Sequence, residues 1–334
     1  MVWHDLCSRR DERREQTSVF VCAYNNKECI MNDGFKVIDF RNRPPLPQYG
    51  LIFDMKKTYF QDQLHHVYNR GTNTFTKSME MKTVGTEEGL AEWMKEIDEA
   101  GVSSVVVNGR YMFWRIPTST MTSKDIHDFS QKYPGRVHGL AAIDLDNSPK
   151  AAAEDVEKAI KEYGFKGANI EPGYKDGYRG ISIDDPALGP IMEVLEAGGA
   201  FLQIQTGMLG GADIGNNNPP ALDRFLQAHP KLQVVLAHGG YPYMSEMLGL
   251  ATKHPHLHIC PDMYMFFPGG QLYAWNLNNL PDTFVYGSSY PFASIREPIE
   301  ETLAFRSHPL YKVRDDVMEK YLYGNAARLL GLES

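Results

Sequence analysis

Two arginines, Arg41 and Arg43, stand two positions apart in the run Asp39-Phe40-Arg41-Asn42-Arg43. On an extended strand, residues i and i+2 share a face. Both guanidinium groups therefore present to one side, and the planar fork of each matches a carboxylate bidentately. The pair reads as an anion clamp. The competing reading is a structural pairing with acidic residues at other strand ends, such as Glu171 or Asp262. His238, in Ala237-His238-Gly239-Gly240, ends another apolar run. An imidazole with an unperturbed pKa of about 6.5 suits proton transfer near neutrality. Asn108, Arg110, Glu171, Tyr174, Asp262, Tyr264 and Tyr290 follow similar runs and are expected to touch substrate, with Tyr111, Phe113 and Trp114 as aromatic wall. Ser289 lacks the Gly-x-Ser-x-Gly surroundings of a nucleophile elbow. The chemistry on offer is the holding of a small anion and the movement of a proton.

The elements that must position these residues alternate along the chain. Eight apolar runs read as strands, at 35–40, 102–108, 137–143, 165–171, 200–205, 232–237, 257–260 and 283–287. Amphipathic stretches lie between them, with apolar residues at i, i+3 and i+4. Strands alternating with helices imply βαβ units and a parallel sheet. Eight units point to a closed (β/α)8 barrel, whose active sites lie at the carboxyl ends of the strands. A doubly wound sheet is the alternative, but no Gly-x-Gly-x-x-Gly follows the first strand. Residues 44–85 form a long insertion after that strand, rich in Pro, Tyr, Asn and Thr, and read as a lid over the barrel mouth or as a lateral insertion or oligomer contact. Residues 1–30 read as a poorly ordered extension to a barrel spanning 31–334; a translation start at Met31 is the other reading.

Composition narrows the classes. Among 334 residues, Lys+Arg number 34 and Asp+Glu 42, a net charge of −8. That balance argues against a general nucleic-acid binder, which needs a basic stripe. No apolar run approaches the ~20 residues of a bilayer span. Four cysteines, Cys7, Cys22, Cys29 and Cys260, form no CxxC pair, so neither a disulfide framework nor a zinc finger is expected. A cytoplasmic protein follows, with no membrane or nucleic-acid partner and with a homo-oligomer left open.

The order of strand ends resembles the amidohydrolase-related family, in the branch of aminocarboxymuconate-semialdehyde decarboxylase and related lactonases and hydratases. The resemblance covers about residues 35–334 and is carried by GFKGANIEPG, DPALGPIMEVLEAGGAFLQIQTG, VVLAHGG, FVYGSSYPF and EKYLYGNAARLLGL. It implies a metal site built on Asp-x-His-x-His at the first strand, a His at the fifth and an Asp at the eighth. Here those places hold Arg41, Arg43, Gln205 and Ser289, while His238 matches the sixth-strand histidine. A guanidinium has no free lone pair for a metal. These departures from the family pattern imply a barrel without metal or other cofactor, acting on a small carboxylate-bearing compound. The catalytic set is His238, Arg41, Arg43, Ser289 and Gln205. Lactonase-type hydrolysis is the leading expectation; decarboxylation or hydration of an aromatic or dienoic acid is the alternative, and a non-catalytic binding barrel the rival from another class.

Overall fold

A computed structural model of the chain describes residues 33–50, 83–111, 120–173, 175, 179–207 and 214–332. The extension over 1–30, the 51–82 part of the lid, and Tyr174, Phe113 and Trp114 lie outside these residues. Seven parallel strands follow one another in chain order around one sheet. They are β1 (Val37–Asn42), β2 (Val102–Asn108), β3 (Val137–Ala142), β4 (Gly167–Ile170), β5 (Phe201–Gln205), β6 (Val234–Ala237) and β7 (Leu257–Cys260). The helices between them include α1 (Glu87–Glu99), α2 (Ser123–Ser130), α3 (Pro149–Tyr163), α4 (Gly189–Gly198), α5 (Pro219–Ala228) and α6 (Met244–Lys253). Local sequence sets their ends. Thr122 and Asp125 form a reciprocal capping box at α2, and Gly164 stops α3 in the left-handed conformation.

Residues 283–287 take the eighth place without forming a regular strand. Ile259 N–H donates to Thr283 O at 2.9 Å and Val285 N–H to Ile259 O at 3.0 Å on one side; Phe40 N–H donates to Tyr286 O at 2.9 Å on the other. The sheet thus closes into the expected barrel, with strand ends moved by one or two residues. Ile38, Phe40, Val106, Leu140, Phe201, Val235, Cys260 and Val285 fill its interior. Gly167 contributes no side chain there, because a Cβ would stand 2.7 Å from the Phe201 ring. Ala326, Ala327 and Leu330 of the carboxyl-terminal helix join the same cluster. That helix is tied by Asn325 Nδ2 to the carbonyls of Pro281 and Phe284, where the eighth segment begins.

Strand alternation then dictates which polar residues reach the mouth. Counting by twos from inward Val106 gives Asn108 and Arg110; from Phe201, Gln203 and Gln205; from Cys260, Asp262; from Val285, Gly287 and Ser289. β1 breaks the count. From Phe40 it selects Asn42, yet the Arg41 side chain contacts Asn108 and His238. The register explains this: Asp39 pairs with Val105 and Asn42 with Val107, three steps against two. Such a β-bulge shifts the strand's phase and re-aims a side chain. Arg41 and Arg43 do face the mouth together, but only beyond the bulge.

Asp39 holds the bulge in place. Its Oδ1 accepts the Arg41 N–H at 3.1 Å and the Ser288 N–H at 2.8 Å. Its Oδ2 accepts Ser288 Oγ–H at 2.6 Å and Asn42 Nδ2–H at 2.8 Å. An Asp39→Asn substitution removes the charge and turns one acceptor into a donor facing donors. Stability should fall by about 3 kcal/mol, the scale of a buried charged group losing its bonds. The check is urea unfolding: the midpoint should drop with little change of slope, and an unchanged midpoint would refute the anchoring role.

Candidate active site

Arg41, His238 and Asp262 form one connected unit at the strand ends. The Arg41 guanidinium is wholly buried. Nη1 donates to Asn108 Oδ1 at 3.0 Å, Nη2 lies 3.0 Å from His238 Nε2, and Nε lies 3.5 Å from Asp262 Oδ2. His238 Nδ1 stands 2.7 Å from the same Asp262 oxygen. That is a close contact without straight hydrogen-bond geometry. A guanidinium only donates, so Nε2 must accept and the ring proton belongs on Nδ1. Burial presses the His238 pKa below its usual 6.5, and the charges of Arg41 and Arg43 add to this against the pull of Asp262. The imidazole is a neutral ring between a cation and an anion.

The backbone beneath this unit is strained. His238, Asp262 and Ser289 have φ of +65°, +45° and +65°, a region non-glycine residues rarely occupy. Each costs on the order of 1 kcal/mol or more. The three stand at the ends of consecutive strands. Gly240 N–H donates to Thr206 Oγ1 at 2.8 Å and fixes the turn after His238. Gly287 lets the Arg41 side chain pass, since a Cβ there would lie 2.8 Å from Arg41 Cβ and 2.9 Å from Cys260 Sγ.

The two arginines of the sequence pair are held differently. Arg41 is committed to its partners. Arg43 is 5% exposed, and among the described residues its Nε and Nη1 have no hydrogen-bond partner. Its guanidinium lies 5.7 Å over the Phe292 ring. Burial, with the charges of Arg41 and Arg110, lowers its pKa to about 9. Ser289 Oγ and Asn108 Nδ2 are buried and also without a hydrogen-bond partner among the described residues. These donors are the uncommitted part of the site.

The remaining expected residues divide. Arg41–Asp262 takes the structural pairing that the sequence left as an alternative for the two arginines, while Glu171 Oε2 accepts from Arg110 Nη2 at 3.1 Å. Gln205 Nε2 donates to Asn169 Oδ1 at 2.6 Å, and Gln203 Nε2 to the same oxygen at 2.9 Å. Tyr264 meets the His238 ring edge-on at 5.4 Å and stacks on Tyr241 at 4.6 Å. Tyr290 is corrected: it is wholly buried in the core, and the charges its hydroxyl senses are Glu96 and Glu92 of α1. Asp262 is wholly buried, with Oδ2 between His238 Nδ1 at 2.7 Å and Arg41 Nε at 3.5 Å. Sequence reasoning missed Asn169, Gln203, Asp39 and Tyr49. The two-step count would have found Gln203. Nothing local marks Tyr49, whose hydroxyl donates to Asn108 O at 2.6 Å. A small cleft with room for about one water lies between Arg110, Tyr111, Asp144, Asn169, Glu171 and Lys175.

The metal that the family resemblance implies does not suit these donors. Two of the places are guanidinium groups, His238 Nε2 accepts from one of them, and Gln and Ser are poor ligands for a transition metal. Among the described residues, no three His, Cys, Asp or Glu side chains form a group able to hold an ion. Nor is any described helix long and apolar enough to cross a membrane.

Comparison with known proteins gives a consistent fold. The amidohydrolase family pattern matches residues 98–332. A structure of an uncharacterized TIM-barrel protein from Bordetella bronchiseptica is similar at 29% identity and a TM-score of 0.74, over 89% of this chain and 98% of that one. The 5-carboxyvanillate decarboxylase of Sphingomonas paucimobilis is similar at 16% identity and 0.59, over 89% and 99%. The 4-oxalomesaconate hydratase of Rhodopseudomonas palustris is similar at 15% and 0.57, over 88% and 95%. No curated protein sequence matches the chain.

The protonation state is testable directly. In long-range ¹⁵N spectra of histidine-labelled protein, with His238→Gln supplying the assignment, His238 should be neutral at pH 7 with its proton on Nδ1. It should stay neutral at pH 6.5, because its pKa is lowered. A doubly protonated ring at pH 7 contradicts the arrangement.

Proposed function

The chain belongs to the amidohydrolase family, and on that premise we propose that it is a metal-independent hydrolase, of the lactonase type, for a small carboxylate-bearing compound. One observation carries the reading: a neutral imidazole backed by Asp262 lies in the same buried site as an arginine with unpartnered N–H groups. Arg43 seats the substrate's carboxylate by charge-assisted bonds. Ser289 Oγ–H and Asn108 Nδ2–H are donors for the carbonyl oxygen as it gains charge. His238 Nε2 takes a proton from water, whose oxygen attacks the carbonyl carbon, and Asp262 steadies the imidazolium that forms. Collapse of the tetrahedral intermediate breaks the carbon–oxygen bond, and the proton on Nε2 passes to the leaving oxygen. Such base catalysis supplies about 10²–10⁴ in rate. Without metal-fitting donors, water activation falls to this base.

Hydration of an unsaturated acid, a carbon–oxygen lyase reaction, is the second reading. The hydratase and decarboxylase of similar fold keep lyase chemistry in view. The protonation state of His238 favours hydration over decarboxylation: Nε2 can activate water, but carries no proton for the carbanion that loss of CO₂ leaves.

The test is a screen of carboxylated lactones and unsaturated acids with chelator-treated protein, read by mass spectrometry. Hydrolysis adds one water and opens the ring; the activity should survive the chelator. Turnover only on addition of zinc or manganese sinks metal independence, and loss of CO₂ sinks the hydrolase. Arg43→Met should weaken a carboxylate substrate by about 1–3 kcal/mol, roughly 5- to 150-fold. Folding stability should hold or rise, since a buried, poorly compensated charge is removed. Carboxylate affinity should be steady near neutrality and fall as pH rises through about 9, where Arg43 loses its proton.

A further inference from the structure

Arg41 occupies the atom that the proposed reaction needs. Its Nη2–H bonds the Nε2 lone pair of His238 at 3.0 Å, and that lone pair is the base. While the bond lasts, a proton on Nε2 would meet the guanidinium N–H head-on. Nδ1 offers no substitute, because it keeps its proton toward Asp262 at 2.7 Å. In this arrangement of side chains the base is therefore capped.

A carboxylate at Arg43 changes the balance. Arg41 and Arg43 repel each other in a buried site, and an anion between them relieves that repulsion. A guanidinium bonded to a carboxylate also brings opposite charges together, whereas its bond to His238 joins a cation to a neutral ring. Arg41 gains by turning Nη2 toward the anion, with Nη1 on Asn108 as its pivot. The groups facing His238 are Arg41 and Arg43 beyond the β1 bulge, Asp262 after β7, and the Tyr264 ring edge.

We infer that Arg41 is a specificity switch, which caps the His238 base until an anionic substrate draws its guanidinium toward Arg43. The inference rests on the anion-binding hydrolase reading and adds a second layer of selection. A neutral analogue that reaches the same place leaves the base capped, so discrimination appears in turnover as well as in affinity.

The experiment uses full-length, histidine-¹⁵N-labelled protein. Benzoate, fumarate and phthalate are the anionic probes, benzamide is the neutral match to benzoate, and calorimetry reports binding separately. An anion that binds should move the His238 Nε2 resonance out of its hydrogen-bonded position, whether the nitrogen is left bare or takes a proton. Benzamide should not. Arg43→Met keeps the cap but loses the seat, so its His238 spectrum should match the empty wild type with or without anion. Arg41→Met should show a released Nε2 with no anion present; if that variant does not fold, Arg43→Met and benzamide still carry the comparison. An anion that binds with His238 unchanged overturns the switch and leaves the hydrolase reading standing. If none of the three anions binds, the anion seat fails, and both readings fall with it.

Discussion

The carboxylate of Asp39 joins two tasks. It accepts Ser288 from the turn after the eighth segment, 249 positions away, and so ties the last strand position to the first. It also accepts the Arg41 N–H that the bulge removes from the ladder. Closing the barrel and aiming Arg41 are thus one interaction. Asn42, displaced outward by the same bulge, gives its Nδ2–H to Asp39 and accepts Trp93 Nε1–H of α1 at 2.9 Å. Without the bulge, strand phase would send Asn42 inward and Arg41 toward the helices.

Charge at the mouth is arranged unevenly. Arg41 is paired with Asp262 and Arg110 with Glu171, while Arg43 lacks a hydrogen-bonded carboxylate among the described residues. Burying an unpaired charge is costly, and the fall of the Arg43 pKa to about 9 expresses that cost. A barrel whose site had merely decayed would be expected to fill these places with apolar side chains. Strongly perturbed groups at a barrel mouth mark a functional site more often than a disused one.

Strain points to the same place. Among the described residues the positive-φ non-glycine positions are Asp33, His238, Asp262 and Ser289. Three of the four lie at consecutive strand ends. The turns there cost energy that regular strand exits would avoid, and they swing His238, Asp262 and Ser289 over the interior. Tight packing below, with Phe40 and Phe201 rings 5.6 Å apart, gives those turns a rigid base.

The eight alternating units, their helix caps and the inward phase of Asn108, Gln205 and Ser289 were legible in the sequence, because period-two and period-3.6 patterns are local properties. The family order of the strand ends was legible too. The commitments of each side chain were not. Arg41 and Arg43 look equivalent two positions apart, yet a bulge, a carboxylate from β7 and an amide from β2 commit one and leave the other unpaired. Asp262 read as a substrate contact and lies against His238 and Arg41, and Tyr290 turned into the core. Hydrogen-bond partners far apart in sequence are chosen by barrel closure, and no local pattern encodes which donor will reach which acceptor first. The sequence pattern by itself marked the strand ends that surround the mouth; tertiary structure decided which of their side chains reach it and which remain free to act, since burial obliges each polar group to take whatever partner the closed barrel brings within reach.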